Sequence, residues 1–273
     1  MLLVFFHYVL IRTKISSISI TESSMPRFFV RKDQIEDGIV TVLGDDAHHI
    51  SRSLRMAAGE QIIVCDMQKK EYTCVLDGFF SDRVTARVIS ERQSDTEPPF
   101  CAHLYQALPK GEKLDSIIQK SVECGVSQIT TFQSERCIVK EKGDEENKLR
   151  RRNKIALEAA KQSGRGIVVP VNPTLSFSQM LDAAQSAEVK LFCYEGDGTR
   201  SLREEIRTRR EADELGEGAD IAIVIGSEGG FSLREVELAK ERGFVPVGLG
   251  NRILRTETAA SFVLACLVYE LEL

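Results

Sequence analysis

The stretch from Ile221 to the C-terminus constrains this chain more than any other. Five consecutive apolar residues, Ile221-Ala222-Ile223-Val224-Ile225, read as a buried strand, because they are rich in Ile and Val and end at turn formers. The loop Gly226-Ser227-Glu228-Gly229-Gly230-Phe231 then empties into a helix from Ser232 to about Arg242. Ser232 and Glu235 form a capping box, each side chain satisfying the other's orphan backbone donor. A second short strand, Val245 to Leu249, leads through Gly248-Leu249-Gly250 to a final amphipathic helix, about Thr258 to Leu271. Strand, glycine loop and helix are thus used twice in succession. Two such loops at the carboxyl edge of a parallel sheet are where an α/β protein builds a ligand site.

Two familiar glycine motifs do not account for these loops. No G-x-x-x-x-G-K-[ST] occurs, so a phosphate-cradling P-loop is excluded. Gly248-Leu249-Gly250 begins a G-x-G-x-x-G, but Ile253 stands where the third glycine belongs. Only one helix follows, too little to complete a dinucleotide-binding βαβ unit.

Ile225-Gly226-Ser227-Glu228-Gly229-Gly230-Phe231 and Leu249-Gly250-Asn251-Arg252-Ile253-Leu254-Arg255-Thr256-Glu257-Thr258-Ala259 resemble the knotted SPOUT class of S-adenosylmethionine-dependent RNA methyltransferases. Within that class the chain is most similar to the 16S ribosomal RNA uracil-N3 methyltransferase family, RsmE. Supporting blocks follow in order: Met25-Pro26-Arg27-Phe28-Phe29, His48 to Arg55, Lys110-Gly111-Glu112-Lys113, Gln119 to Val126, and Glu158 to Arg165. Ser227 departs from the family, which usually has proline there, and makes the first loop look equally like the ribose 2′-O-methyltransferase branch. The second loop carries Arg255-Thr256-Glu257-Thr258 in place of that branch's Ser-Leu-Asn type motif.

The resemblance implies a trefoil-knotted α/β methyltransferase domain preceded by a small PUA-like β-barrel, and a homodimer with its site near the interface. It implies S-adenosyl-L-methionine as cofactor and ribosomal RNA of the small subunit as substrate; the cytoplasmic location is expected from the cysteine usage described below. On this reading Phe192, Ile225, Gly226, Glu228, Gly229, Gly230, Leu249, Gly250, Ile253, Leu254, Thr256 and Thr258 hold the cofactor. The glycines would let backbone approach an adenine edge, and Leu249, Ile253 and Leu254 would supply apolar walls. Glu228 is placed either on backbone or ribose, or on the tie between its loop and the next helix. Arg255 would stabilise a uracil anion or anchor a phosphate, while Glu257 or the Thr256 backbone orients the nucleotide. Arg27, Arg52, Arg55, Lys113, Arg151 and Arg165 are the expected RNA contacts. A ribose methyltransferase of the same fold and a non-catalytic RNA-binding or assembly protein stand as alternatives.

Strand and helix alternation by itself predicts only an open, mostly parallel sheet; nothing in the residue pattern shows a knot. The 273 residues, 42% hydrophobic and 28% charged, leave room for two domains. Seven scattered cysteines without a C-x-x-C pair indicate neither a disulfide framework nor a zinc site, and the thiols are expected to be reduced. A formal charge of −5 argues against a protein that coats nucleic acid indiscriminately, so RNA contacts must come from local basic clusters.

Residues 1–24 read as lying outside the fold. Met1 to Ile11 is too short to span a bilayer, and its positive charges follow the apolar run, unlike a signal peptide. A transit peptide, a disordered tail and an over-extended start ahead of Met25 remain open. Residues 25–95 are expected to form the barrel, with strands at Ile39–Leu43, Gln61–Cys65, Glu71–Leu76 and Arg83–Ile89 separated by turn formers. Between the first two, Asp46 to Arg55 is expected as a helix with Arg52 and Arg55 on one face, suited either to phosphate contacts or to plain solvation. His48-His49 lacks a third ligand nearby and suits a capping or structural role better than a metal.

A linker at 96–99 precedes the larger domain, 100–273. Ala102–Leu108 and Gln128–Phe132 are expected strands, and Leu114, Ile117, Ile118 and Val122 give the helix between them an apolar stripe. A helix from about Glu145 to Ser163 carries Lys148, Arg150, Arg151, Arg152 and Lys154, either a solvated face or an RNA phosphate-contacting surface. Arg165 reads as a helix-end counterion or, by resemblance, as part of the substrate entrance. Ser186–Tyr194 supplies the strand before a third loop, and Phe192 to Gly196 becomes the third wall of the site. Arg200–Gly218 reads as an exposed charged helix and loop.

Overall fold

The computed structural model describes residues 25–140 and 143–273, so the expectation for the leader falls outside the described residues. The chain divides into two compact units. One runs up to Cys65 and takes in Glu71–Arg92; the other comprises Asp66–Lys70 and Gln93–Leu273.

In the smaller unit six strands, β1 (Arg27–Phe29), β2 (Ile35–Glu36), β3 (Ile39–Leu43), β4 (Gln61–Cys65), β5 (Lys70–Phe79) and β6 (Arg83–Gln93), form one sheet in the order β1-β4-β5-β6-β3-β2. The period-2 pattern explains its core. Val40 faces Ala86 and Val42 faces Val84 across the β3–β6 pair, and all four are buried with Phe28, Ile62, Val64, Cys74 and Leu76. β1 and β2 have three and two residues, too few to give a periodicity signal. The helix α1 is short, Gly44–His48, and continues as a π-turn over His49–Ser53. Arg52 lies in that turn, but Arg55 lies beyond it with a left-handed φ of 53°, so the two arginines do not share a helix face. Arg55 turns the chain where a helix would have carried it on. His49 packs edge-on against Phe28.

The larger unit is built on seven strands: β7 (Cys101–Ala107), β8 (Gln128–Gln133), β9 (Val171–Ser176), β10 (Val189–Cys193), β11 (Arg200–Ser201), β12 (Asp220–Ile225) and β13 (Val245–Gly248). They run in the order β11-β13-β10-β12-β7-β8-β9, each neighbouring pair parallel. β12, apolar and buried from Ile221 to Ile225, sits centrally between β10 and β7, where both faces are covered. The helices are α2 (Lys113–Glu123), α3 (Glu145–Ser163), α4 (Phe177–Ala183), α5 (Leu202–Glu211), α6 (Leu233–Glu241) and α7 (Thr256–Leu271). Because the strands are parallel, the loops after β7, β10, β12 and β13 gather at one edge.

Several elements differ from expectation for identifiable reasons. β9, not among the expected strands, contains Pro173 and occupies the sheet edge, where a missing N–H is tolerated. The α3 basic run is not a uniform surface. Arg152 is buried and donates to Thr174 Oγ1 at 3.3 Å, Arg150 pairs with Glu146 of its own helix, and Arg151 is exposed beside Asp115 at 2.9 Å. The Arg200–Gly218 segment is not wholly exposed either: Leu202 and Ile206 of α5 are buried, as is Glu205, clasped by Arg200 and Arg209. Phe192 packs in an aromatic cluster with Phe231 (centroids 4.2 Å), Phe177 and Phe244. Among the described residues no helix is long and apolar enough to cross a membrane.

Candidate active site

At the carboxyl edge of the large sheet the loops enclose a cavity of about 610 Å³, within the range that holds a cofactor-sized ligand. Its floor is the first glycine loop, from Ile225 to Phe231; one wall is Leu249 with Ile253-Leu254-Arg255-Thr256, and another is Cys193-Tyr194-Glu195. Lys113 reaches it from the start of α2 and Arg136 from the loop after β8.

Local sequence sets each part. Ser232 caps α6, accepting from Glu235 N at 3.2 Å while Glu235 Oε2 accepts from Ser232 N at 2.9 Å. Glu235 also accepts from Glu135 N at 2.8 Å, and Ser232 Oγ donates to Glu135 at 2.6 Å, so the cap fastens the 134–136 loop beside the first glycine loop. That closeness requires glycine at 229. A Cβ there would come within 3.0 Å of both Cβ and the carbonyl oxygen of Arg136, whose guanidinium in turn donates to Gly229 O at 3.2 Å.

The charged rim centres on Lys113, in the first turn of α2. Its ammonium lies 2.8 Å from Glu228 Oε1 and 3.6 Å from Glu257 Oε2. Glu228 further accepts from Lys110 N at 3.1 Å. Burial pushes the Glu228 carboxyl up, but the Lys113 ammonium and the backbone amides outweigh it and hold it below the usual carboxylate range. The hydrogen bond to Glu228 raises the Lys113 amine, with burial opposing. Arg255 is 82% exposed and only loosely paired, 3.9 Å from Glu257. The Cys193 thiol on the cavity wall is pushed up to about 12 by burial, so it supplies neither nucleophile nor base near neutrality. Deeper in, Thr256 Oγ1 donates to Gly226 O at 2.7 Å and accepts from Gln106 Nε2 at 2.9 Å.

Residues 96–268 match the RNA methyltransferase domain family, and residues 42–78 match the RNA methyltransferase PUA domain. The chain is 38% identical to ribosomal RNA small subunit methyltransferase E of Bacillus subtilis, covering 91% of this chain and 98% of that protein. It is 32% identical to the protein of that name from Mesomycoplasma hyopneumoniae, over 88% and 97% of the two chains. The chain belongs to the ribosomal RNA small subunit methyltransferase E family. A crystal structure of the Neisseria gonorrhoeae family member bound to S-adenosyl methionine superposes with a TM-score of 0.77 at 33% identity, over 90% of this chain and 98% of that one.

Within this family member, Ile225, Gly226, Glu228, Gly229, Gly230, Leu249, Ile253, Leu254, Arg255 and Thr256 lie around one cavity, with Lys113 among them. Gly250, in the same loop as Leu249, takes a φ of 105° that favours glycine. Three expectations are corrected. Phe192 is fully buried in the aromatic cluster, and the wall is made by the three residues after it. Thr258 points outward from the first turn of α7, because the helix already starts at Thr256 and turns position 258 away. Glu257 does not line the cavity; its carboxylate is directed at Lys113.

Among the expected RNA contacts, Arg52, Arg55 and Arg151 are exposed. Arg27 and Arg165 are not available. Arg27 Nη1 is 2.6 Å from the buried Glu71. Arg165 is 3% exposed, grips Glu97 at 2.6 Å and donates to the carbonyls of Val122 and Val126. An arginine so enclosed by its carboxylate and carbonyl partners is a structural rivet, not a phosphate contact. Gln106 carries no motif; only its polarity between the buried Tyr105 and Ala107 could have drawn notice.

Proposed function

We propose that this enzyme methylates N3 of a uridine in 16S ribosomal RNA, with S-adenosyl-L-methionine as methyl donor. The observation that carries the reading is the single cavity closed by two glycine loops in a chain of this family. The cavity fits such a cofactor. Gly229 leaves no room for a side chain against Arg136, apolar walls come from Ile225, Leu249 and Leu254, and the buried Ser227 Oγ has no hydrogen-bond partner among the described residues. When bound, the cofactor supplies an electrophilic methyl group.

The chain's own residues then bind, orient and stabilise. The glycine loops would carry the adenosine, with Ser227 and the Glu195 carboxylate as polar contacts at its edges. The uracil N3 proton must leave before attack, and the ionisable groups at the rim are already engaged with one another, Lys113 with Glu228 and Glu257, and Glu228 also with Lys110 N. The arrangement therefore favours positioning and stabilisation of the uracil anion by the cations at the rim, Arg255 and Lys113. Arg52, Arg55 and Arg151 are suited to phosphate contacts that guide the RNA. The residues around Gly248–Thr258 are the segment that a trefoil knot would thread. A homodimer is supported by α7, which buries Val263, Leu264 and Leu267 yet also exposes Phe262 and Tyr269, more apolar surface than one chain covers.

Calorimetric titration with S-adenosylmethionine and nucleoside analysis of treated small-subunit RNA test the reading. Wild type should bind and yield 3-methyluridine, while Gly229→Val should not bind. A methyl group on ribose, or RNA left unmodified by a protein that binds the cofactor, would sink the assignment.

A further inference from the structure

We infer that Gln106 is a positioning residue that locks the two ligand loops to each other, acting from behind the cavity without touching its occupant. The inference deepens the methyltransferase reading and rests on it. Gln106 is the penultimate residue of β7, opposite Ile225 of β12, and is completely buried, between apolar strand positions on either side. Its Nε2 donates to Thr256 Oγ1 and to Ala107 O, each at 2.9 Å, with Gly226 O at 3.5 Å. The Thr256 hydroxyl spends its own proton on Gly226 O at 2.7 Å. One amide therefore orders a hydroxyl, and that hydroxyl holds a carbonyl, across sequence separations of 150 and 30 residues.

The three positions are the penultimate residue of β7, the first residue of the first glycine loop and the first residue of α7 after the second loop. Gly226 and Thr256 line the cavity; Gln106 does not. Because the peptide unit is planar and trans, fixing the Gly226 carbonyl also fixes the opposite direction of the Ser227 N–H. The same hydroxyl bond ties the start of α7, and with it Leu254 and Arg255, to the first loop. Without the amide, the Thr256 hydroxyl could rotate and release Gly226.

A purely structural role explains the residue poorly. Gln106 Oε1 is buried with no partner among the described residues, and an unsatisfied buried acceptor is destabilising. In a buried strand an apolar residue of the same length would remove that penalty. Retaining the amide is consistent with a task at the site.

Titration of S-adenosylmethionine into Gln106→Met, Thr256→Val, Thr256→Ser and the Gln106→Met/Thr256→Val double variant, each with its thermal midpoint, tests this. Gln106→Met should bind about tenfold or more weakly, equivalent to about 1.4 kcal/mol, with its thermal midpoint unchanged or raised. The double variant should bind no worse than the weaker single, since both changes break one relay. Thr256→Ser should recover much of what Thr256→Val loses, and this comparison decides the matter if Gln106→Met does not fold. Wild-type affinity in Gln106→Met, or additive losses in the double variant, would overturn the inference while leaving the methyltransferase reading intact. A wild type that binds no S-adenosylmethionine would remove that reading and this inference with it.

Discussion

At the residue scale, the fate of each arginine turns on partners far along the chain. Arg165 and Glu97 form a buried pair, 3% and 5% exposed, with two backbone carbonyls completing the guanidinium's shell. Removing one member of such a pair leaves an uncompensated buried charge, which costs about 3–5 kcal/mol. Arg165→Ala should therefore lower the urea midpoint severely. The folded fraction should keep its RNA affinity; a stable Arg165→Ala protein that lost RNA binding alone would contradict the structural assignment.

The Lys113–Glu228 pair predicts a pH dependence. The Glu228 carboxyl is held below its ordinary value, so its contribution is present above the unfolded-state value and is lost as pH falls through the folded one. The Lys113 amine is held above its ordinary value, so its contribution is full below the unfolded-state value and disappears as pH rises through the folded one. The stability difference between wild type and Glu228→Gln should be flat through neutrality and shrink at both extremes, as followed by denaturation at a series of pH values. A difference that persisted into strong acid would show that the ion pair is not its source.

At the element scale, the capping box of α6 joins helix formation to site construction. Loss of a serine cap costs about 1 kcal/mol, and here Ser232 also donates to Glu135 in the neighbouring loop. Ser232→Ala should lower the unfolding free energy by at least that amount and weaken S-adenosylmethionine binding, because the 134–136 loop carries Arg136 to the cavity. Calorimetry with unchanged affinity would separate the cap from the site. α3 illustrates the opposite lesson. Its five closely spaced positive residues look alike in sequence, yet Arg152 lies on the buried face toward β8 and β9 with Thr131 and Thr174, while Arg151 faces solvent. Helical periodicity assigns faces, but the apolar residues that α3 buries fully are alanines, too small to mark the buried stripe clearly, while Leu149, Ile155 and Leu157 are only half-buried.

At the scale of the whole molecule, the outer face of α7 bears on assembly. α7 is apolar nearly all round, and Phe262 and Tyr269 stand on its uncovered side. If a second copy covers that face, sedimentation should report a dimer for the wild type, with Phe262→Glu shifting it toward monomer at the same concentration. A wild-type monomer at micromolar concentration would remove the dimer proposal.

The sequence by itself determined the parallel α/β sheet, the capped helix after β12 and the glycine loops, because strand burial, capping and glycine conformation are encoded within a few residues of each other. It also determined the four longer strands of the smaller unit through their β-branched residues and the turn formers between them. Only the tertiary structure decided which charges are solvated and which are enclosed. Arg27 meets Glu71 across 44 residues, Arg165 meets Glu97 across 68, and Gln106 meets Thr256 across 150. A charge or amide declares its residue type locally, but its role follows from the partner that chain folding brings to it, and that partner is not written in its neighbours.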